Sequence, residues 1–131
     1  MLPETLLLNL DGRESSAFNR KFDRILIDAP CSGTGTWRRN PEQKWKLTQV
    51  EIDRLHEIQL GLLHQAAPLL KAGGKLIYAT CSVLKVENED VIAKFLNENE
   101  KFSLEKQERL MPLHNHTDGF FMATLSIRNA K

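Results

Sequence analysis

Cysteine is scarce in this sequence: two residues in 131, at positions 31 and 81. That is too few for the disulfide framework of a small secreted domain, and no further ligands stand at a spacing that would make a zinc site. Net charge is nearly absent as well, because 18 Lys and Arg face 17 Asp and Glu for a balance of +1. A uniformly basic nucleic-acid coat is thereby excluded, and any such contact falls to a local patch. No apolar run approaches the ~20 residues of a membrane span. The start, MLPETLLLNL, lacks the charged beginning and the longer apolar stretch of a signal peptide. These absences predict a cytoplasmic protein with neither a membrane nor a metal among its partners. There is no internal repeat, low-complexity tract or interdomain linker. What remains, 41% hydrophobic and 27% charged residues, suits a single α/β globular domain with one core.

The most informative stretch runs from Phe22 to Gly35, FDRILIDAPCSGTG. Ile25, Leu26 and Ile27 between polar flanks read as a buried strand of a parallel sheet. Asp28, Cys31 and Ser32 then fall just beyond its carboxyl end, the edge at which open α/β sheets bind ligands. A second stretch, Lys75 to Ser82 (KLIYATCS), repeats the arrangement and delivers Cys81. If the two strands are parallel neighbours, both thiols emerge on one edge.

Elsewhere, Thr5 to Leu10 reads as a short strand stopped by Asp11-Gly12. Residues 13 to 21 read as a polar connection. Thr36 to Lys46 (TWRRNPEQKWK) interleaves basic side chains with two tryptophans, a pairing of phosphate contacts with stacking faces; a plain solvated loop has the same composition. Thr48 and Glu51 fit a capping box, followed by Ile52, Leu55, Leu62, Leu63, Ala66 and Leu70 on one helical face. Pro68 is expected to loosen the last turn and Gly73-Gly74 to stop the helix. His56 and His64 read as ordinary helical residues. Val86 to Glu100 predicts a second amphipathic helix, with Glu87, Glu89 and Asp90 near its start, where negative charge suits the helix dipole. Phe102 to Leu110 holds a short strand, and Gly119 to Ile127 reads as the strand that closes the sheet.

The residues alone leave four readings of the two thiols open. They are buried structural cysteines, a redox pair outside any C-x-x-C, part of a zinc site short of ligands, or a covalent catalytic set with the Asp28 carboxyl.

At DAPCSGTG and ATCS the chain resembles the RsmB/Sun family of S-adenosylmethionine-dependent RNA (cytosine-C5) methyltransferases. These enzymes pair a Pro-Cys motif, here Pro30-Cys31, with a Thr-Cys motif, here Thr80-Cys81. Further matches are LDGR at 10 to 13, RRNPEQKW at 38 to 45, LLKAGGKLIYATCS at 69 to 82, ENE at 87 to 89 and DGFF at 118 to 121. The resemblance implies the carboxyl-terminal part of a catalytic domain over residues 1–131. Its implied fold is a truncated class I (Rossmann-like) methyltransferase fold, a mostly parallel sheet with flanking helices that lacks the first two strands. Cys81 is implied to attack C6 of the target cytosine, Cys31 to assist release of the adduct, and Asp28 to act at ring N3. Asp11, Asp28 and Pro30 are implied to bind S-adenosylmethionine, with Asp11 at the adenine. Arg38, Arg39, Lys44 and Trp45 gain a role as RNA contacts, and small-subunit ribosomal RNA is the family's bacterial substrate.

The departures are specific. No Gly-rich loop follows a first strand, and no second strand ends in an acid for the ribose. The 131 residues are therefore expected to hold an incomplete cofactor site and to be inactive alone. A separate amino-terminal half or a second copy is expected to complete the sheet, unless the strand at Thr5 to Leu10 shifts to cover the open edge. The alternative function is a catalytically silent remnant that serves as an RNA-binding or structural module.

Overall fold

The computed structural model describes residues 5–9, 21–32, 48–110 and 119–127. The elements are β1 (Thr5–Asn9), β2 (Phe22–Asp28), α1 (Gln49–Ala66), β3 (Leu70–Thr80), α2 (Glu89–Glu98), β4 (Phe102–Leu110) and β5 (Phe120–Ile127). They form one sheet in the order β1-β2-β3-β5-β4. β1, β2 and β3 are parallel, and β5 runs antiparallel to both of its neighbours, so four of the five strands point the same way. β1 lies directly against β2, with Leu8 opposite Ile27 and Asn9 opposite Asp28. It covers the edge that the truncated fold was expected to leave open.

Alternation within the strands selects the core. Ile25 and Ile27 of β2, Leu76 and Tyr78 of β3, and Phe121, Ala123 and Leu125 of β5 are all fully buried. Onto this face α1 packs Leu62, Leu63 and Ala66, while α2 packs Val91, Ile92 and Phe95. Each large apolar side chain so buried contributes about 1.5–3 kcal/mol. Phe95 meets Phe102 edge-on at 5.2 Å and Tyr78 meets Phe121 at 6.3 Å, joining helix to sheet and strand to strand.

The structure corrects four expectations. α1 ends at Ala66 rather than at the glycines, because Pro68, within a 3₁₀ turn at Ala67–Leu69, has no amide to continue the helix; Leu70 is already extended. Gly73-Gly74 lies inside β3, where the strand advances from Leu70 to Lys75 while β2 advances from Phe22 to Arg24. Gly73 absorbs the excursion at φ 80°. At the start of α1, Thr48 Oγ1 accepts from the Glu51 amide at 3.2 Å, but the Glu51 carboxylate goes to Arg54 and not back to the cap. α2 begins at Glu89, after a 3₁₀ turn at Lys85–Glu87, because Glu87 and Asn88 are turned into the protein and fully buried. Finally, β5 is interior and β4 forms the edge. Phe121, Ala123 and Leu125 are buried between neighbours on both sides, whereas the charged, mostly exposed run from Leu104 to Glu108 suits an edge. Among the described residues no helix is long and apolar enough to cross a membrane.

Candidate active site

The carboxyl ends of β2 and β3 are held level. Asp28 is opposite Ala79 in the parallel register, and the Ala29 amide continues the ladder one residue further by donating to the Ala79 carbonyl at 3.0 Å. The segments Ala29-Pro30-Cys31-Ser32 and Thr80-Cys81-Ser82 therefore leave the sheet side by side. Cys31 is partly buried and Cys81 exposed, and neither is in a disulfide. This removes the reading in which both are packed core thiols. Asp28, exposed at the end of β2, and half-buried Pro30 complete the group. Asp11, Arg38, Arg39, Lys44 and Trp45 lie outside the described residues.

Beneath the two cysteine segments is a buried polar cluster centred on Glu87. Its Oε1 accepts from the Ser32 amide at 2.6 Å and from Gln59 Nε2 at 3.3 Å. Its Oε2 accepts from Ser32 Oγ at 2.6 Å and from Ser82 Oγ through a short hydrogen bond. Gln59 Nε2 also donates to the Pro30 carbonyl at 2.8 Å, which draws α1 into the same cluster. Asn88 secures the other segment, accepting from Thr80 Oγ1 at 2.6 Å and donating to the Ser82 carbonyl at 2.9 Å. Tyr78, buried in β3, donates to the Glu87 carbonyl at 2.7 Å. Burial first, then the negative charges of Glu87 and Cys31, push the Tyr78 phenol well above its usual range, so it stays a donor.

Arg109 of β4 braces the segment after Cys81 from outside. Its guanidinium holds both oxygens of Glu89, at 3.0 and 2.5 Å, and donates to the Val83 carbonyl at 2.7 Å. The fork matches the carboxylate, a geometry lysine does not reproduce. His56 Nδ1 lies 3.0 Å from the Val86 carbonyl, and His64 Nε2 lies 2.8 Å from Glu98. Both link α1 to neighbouring segments.

Sequence reasoning singled out Cys31, Cys81, Asp28 and Pro30, and the structure places all four at or just beyond the carboxyl ends of the adjacent strands β2 and β3. It missed Glu87, Asn88, Gln59 and the roles of Ser32 and Ser82. One signal was available: the dipeptide Cys-Ser occurs twice, at 31–32 and 81–82, and it is the two serines that share the carboxylate.

Similarity to known proteins agrees with this geometry. Ribosomal RNA small subunit methyltransferase B of Proteus mirabilis is 45% identical over 118 residues, covering 88% of this chain and 28% of that protein. The protein of the same name from Photorhabdus laumondii is 42% identical over 127 residues, covering 90% and 30% respectively. The chain thus spans under a third of the length of these relatives. Among solved structures, NSun6 from Pyrococcus horikoshii with SFG superposes with a TM-score of 0.78 at 28% identity, over 94% of this chain and 34% of that one. A methyltransferase homolog from the same organism gives 0.73 at 30% identity, over 88% and 42%. The profile of the 16S rRNA methyltransferase RsmB/F family matches residues 1–126. With the paired cysteines on one sheet edge and this match over nearly its whole length, the chain belongs to the RsmB/F family of 16S rRNA methyltransferases.

Proposed function

We propose that this chain carries the reacting groups of an S-adenosylmethionine-dependent RNA (cytosine-C5) methyltransferase acting on small-subunit ribosomal RNA. The observation that carries the reading is the side-by-side exit of Cys31 and Cys81 from adjacent parallel strands, beyond the strand end that carries exposed Asp28. The names of its relatives supply the substrate class.

In this reading the Cys81 thiolate adds to C6 of the target cytosine, forming a carbon–sulfur bond and making C5 electron-rich enough to accept a methyl group. Its exposure suits attack on a base extruded from the RNA. Asp28 hydrogen-bonds or protonates ring N3, where charge develops on addition. Cys31 then assists release: as a base it takes the proton from C5, the C5–C6 double bond re-forms, and the bond to Cys81 breaks. Arg38, Arg39, Lys44 and Trp45 contact the RNA beside the site, with phosphate contacts positioning it.

S-adenosylmethionine, whose analogue SFG accompanies the NSun6 structure, supplies an electrophilic methyl group when bound. The residues present fit such a group: exposed Asp28, opposite Asn9 at the end of β1, offers an acceptor for its hydroxyl or ammonium donors on the edge where α/β sheets bind ligands. Pro30 lies beside that acceptor and Asp11 serves the adenine. Within these 131 residues no Gly-rich loop follows a first strand, so the chain alone is expected to bind the cofactor weakly and not to turn over.

The test is trapping. RNA carrying 5-fluorocytosine has no C5 proton to lose, so the adduct persists. Mixed with such RNA, cofactor and the amino-terminal half, the chain is expected to give an adduct stable in a denaturing gel, and Cys81→Ala to give none. An adduct that persists in Cys81→Ala moves the nucleophile elsewhere. RNA binding without any adduct in the unsubstituted chain favours a silent RNA-binding module.

A further inference from the structure

We infer that Glu87 is a positioning residue that sets the two cysteines against each other; the inference rests on the reading of Cys31 and Cys81 as a working pair. The carboxylate is fully buried in a place where apolar packing would be less costly. It receives four donated hydrogen bonds, two on each oxygen, which fills the acceptor capacity of a carboxylate. The donors are not a random sample of the core. One is the amide and one the hydroxyl of Ser32, next to Cys31; a third is the hydroxyl of Ser82, next to Cys81. A single oxygen, Oε2, takes both hydroxyls.

The path from one thiol-bearing residue to the other through Cys31-Ser32, Glu87 and Ser82-Cys81 thus contains one shared atom. Glu87 is itself fixed from behind, since Tyr78 donates to its carbonyl. The neighbouring Asn88 is held by Thr80 and Ser82. A displacement of either cysteine segment is therefore passed to the other through Oε2, whereas the strands alone fix the segments only as far as Ala29 and Thr80. In this scheme Glu87 acts through the serines.

The chain contains no other cysteines, so a two-armed thiol reagent reports directly on the pair. Dibromobimane fluoresces once both bromomethyl arms have alkylated thiols within its short span. The unsubstituted chain is expected to bridge Cys31 and Cys81. Glu87→Ala is expected to lower the bridging yield about ten-fold, the scale on which losing orientation lowers an effective concentration. One-armed alkylation of each thiol by iodoacetamide, followed by peptide mass, is expected to change much less.

Glu87→Gln is expected to restore most of the bridging. Its oxygen accepts from the Ser32 amide and Gln59, while its amide donates to the two hydroxyls, which rotate to accept. Ser82→Ala leaves the Ser32 arm intact and is expected to lower bridging without loss of the folded circular dichroism signal. If Glu87→Ala fails to fold, the glutamine and Ser82→Ala variants decide. Absence of bridging in the unsubstituted chain, wild-type bridging in folded Ser82→Ala, or a glutamine variant as poor as Glu87→Ala would each overturn the inference. None of these measurements needs RNA or cofactor, so this inference and the methyl-transfer reading can fail separately.

Discussion

Replacing Thr80 by valine tests whether the buried polar cluster holds the Cys81 segment. Thr80 is 1% exposed, and its hydroxyl donates to Asn88 Oδ1 at 2.6 Å and accepts from the Ser82 amide at 3.2 Å. Valine keeps the shape and removes both bonds. A buried polar group stripped of its partner costs about 1–3 kcal/mol, so the two together cost about 2–6 kcal/mol, less if the network relaxes as a unit. That is a large part of the ~5–15 kcal/mol by which a domain is stable. Serine keeps the hydroxyl and deletes one methyl, for about 1 kcal/mol. Urea unfolding followed by circular dichroism separates the two, with the midpoint moving and the slope unchanged. A valine variant within about 0.5 kcal/mol of the parent, or a serine variant as unstable as the valine one, would refute the reasoning, because methyl packing rather than the hydroxyl would then carry the site.

Two further outcomes follow from the same structure. Glu89 is pushed upward by partial burial, but the Arg109 hydrogen bonds, its own backbone amide and the Arg109 and Lys85 charges outweigh this and leave its carboxyl below the usual 4.5. A depressed folded value means the contribution is complete above about pH 4.5 and is lost as pH falls through the folded value. Glu89→Gln should therefore flatten the acid limb of a stability–pH curve measured by urea midpoint; an unchanged limb counts against it. At Gly74 an added Cβ would lie 2.8 Å from the Asp23 carbonyl and 2.9 Å from that of Lys71, so Gly74→Ala should cost about 1–3 kcal/mol. In Gly61→Ala, mid-helix with nothing within 4 Å of the new Cβ, the same change should instead stabilise by about 0.5–1 kcal/mol. Thermal melts of the two variants shifting in the same direction would contradict this.

The parts of the site that were legible in the sequence are those carried by short-range pattern. Ile25 to Ile27 and Leu76 to Tyr78 are apolar runs that end in polar residues, and a strand places whatever follows it at the sheet edge. Cys31, Cys81 and Asp28 could be gathered on that basis. The break between α1 and β3 was misjudged because two stop signals stood five residues apart, and the earlier one prevailed: Pro68 ended the helix, leaving the glycines to serve a strand irregularity. β5, expected to close the sheet, lies inside it with β4 at the edge, because nothing in a single apolar run says whether a strand has one neighbour or two.

Glu87 was illegible for a different reason. In one dimension it is an acid near a helix start, where the dipole accounts for it, and its partners Ser32 and Gln59 lie 55 and 28 positions away. No periodicity encodes such a meeting. A carboxylate satisfied by three donors from distant segments and one five residues away draws on β2, α1 and β3 together, so its energetics are those of the finished fold and not of any segment. That separation also fits its proposed work. The parallel pairing of β2 and β3 brings two cysteine-bearing segments to the same edge by general rules shared with many α/β domains, but strand pairing sets spacing in steps of a residue. The proposed chemistry between two sulfur atoms and one ring demands finer placement, within fractions of an ångström. A shared acceptor atom between the flanking serines would supply such a constraint without occupying the edge proposed for the substrate.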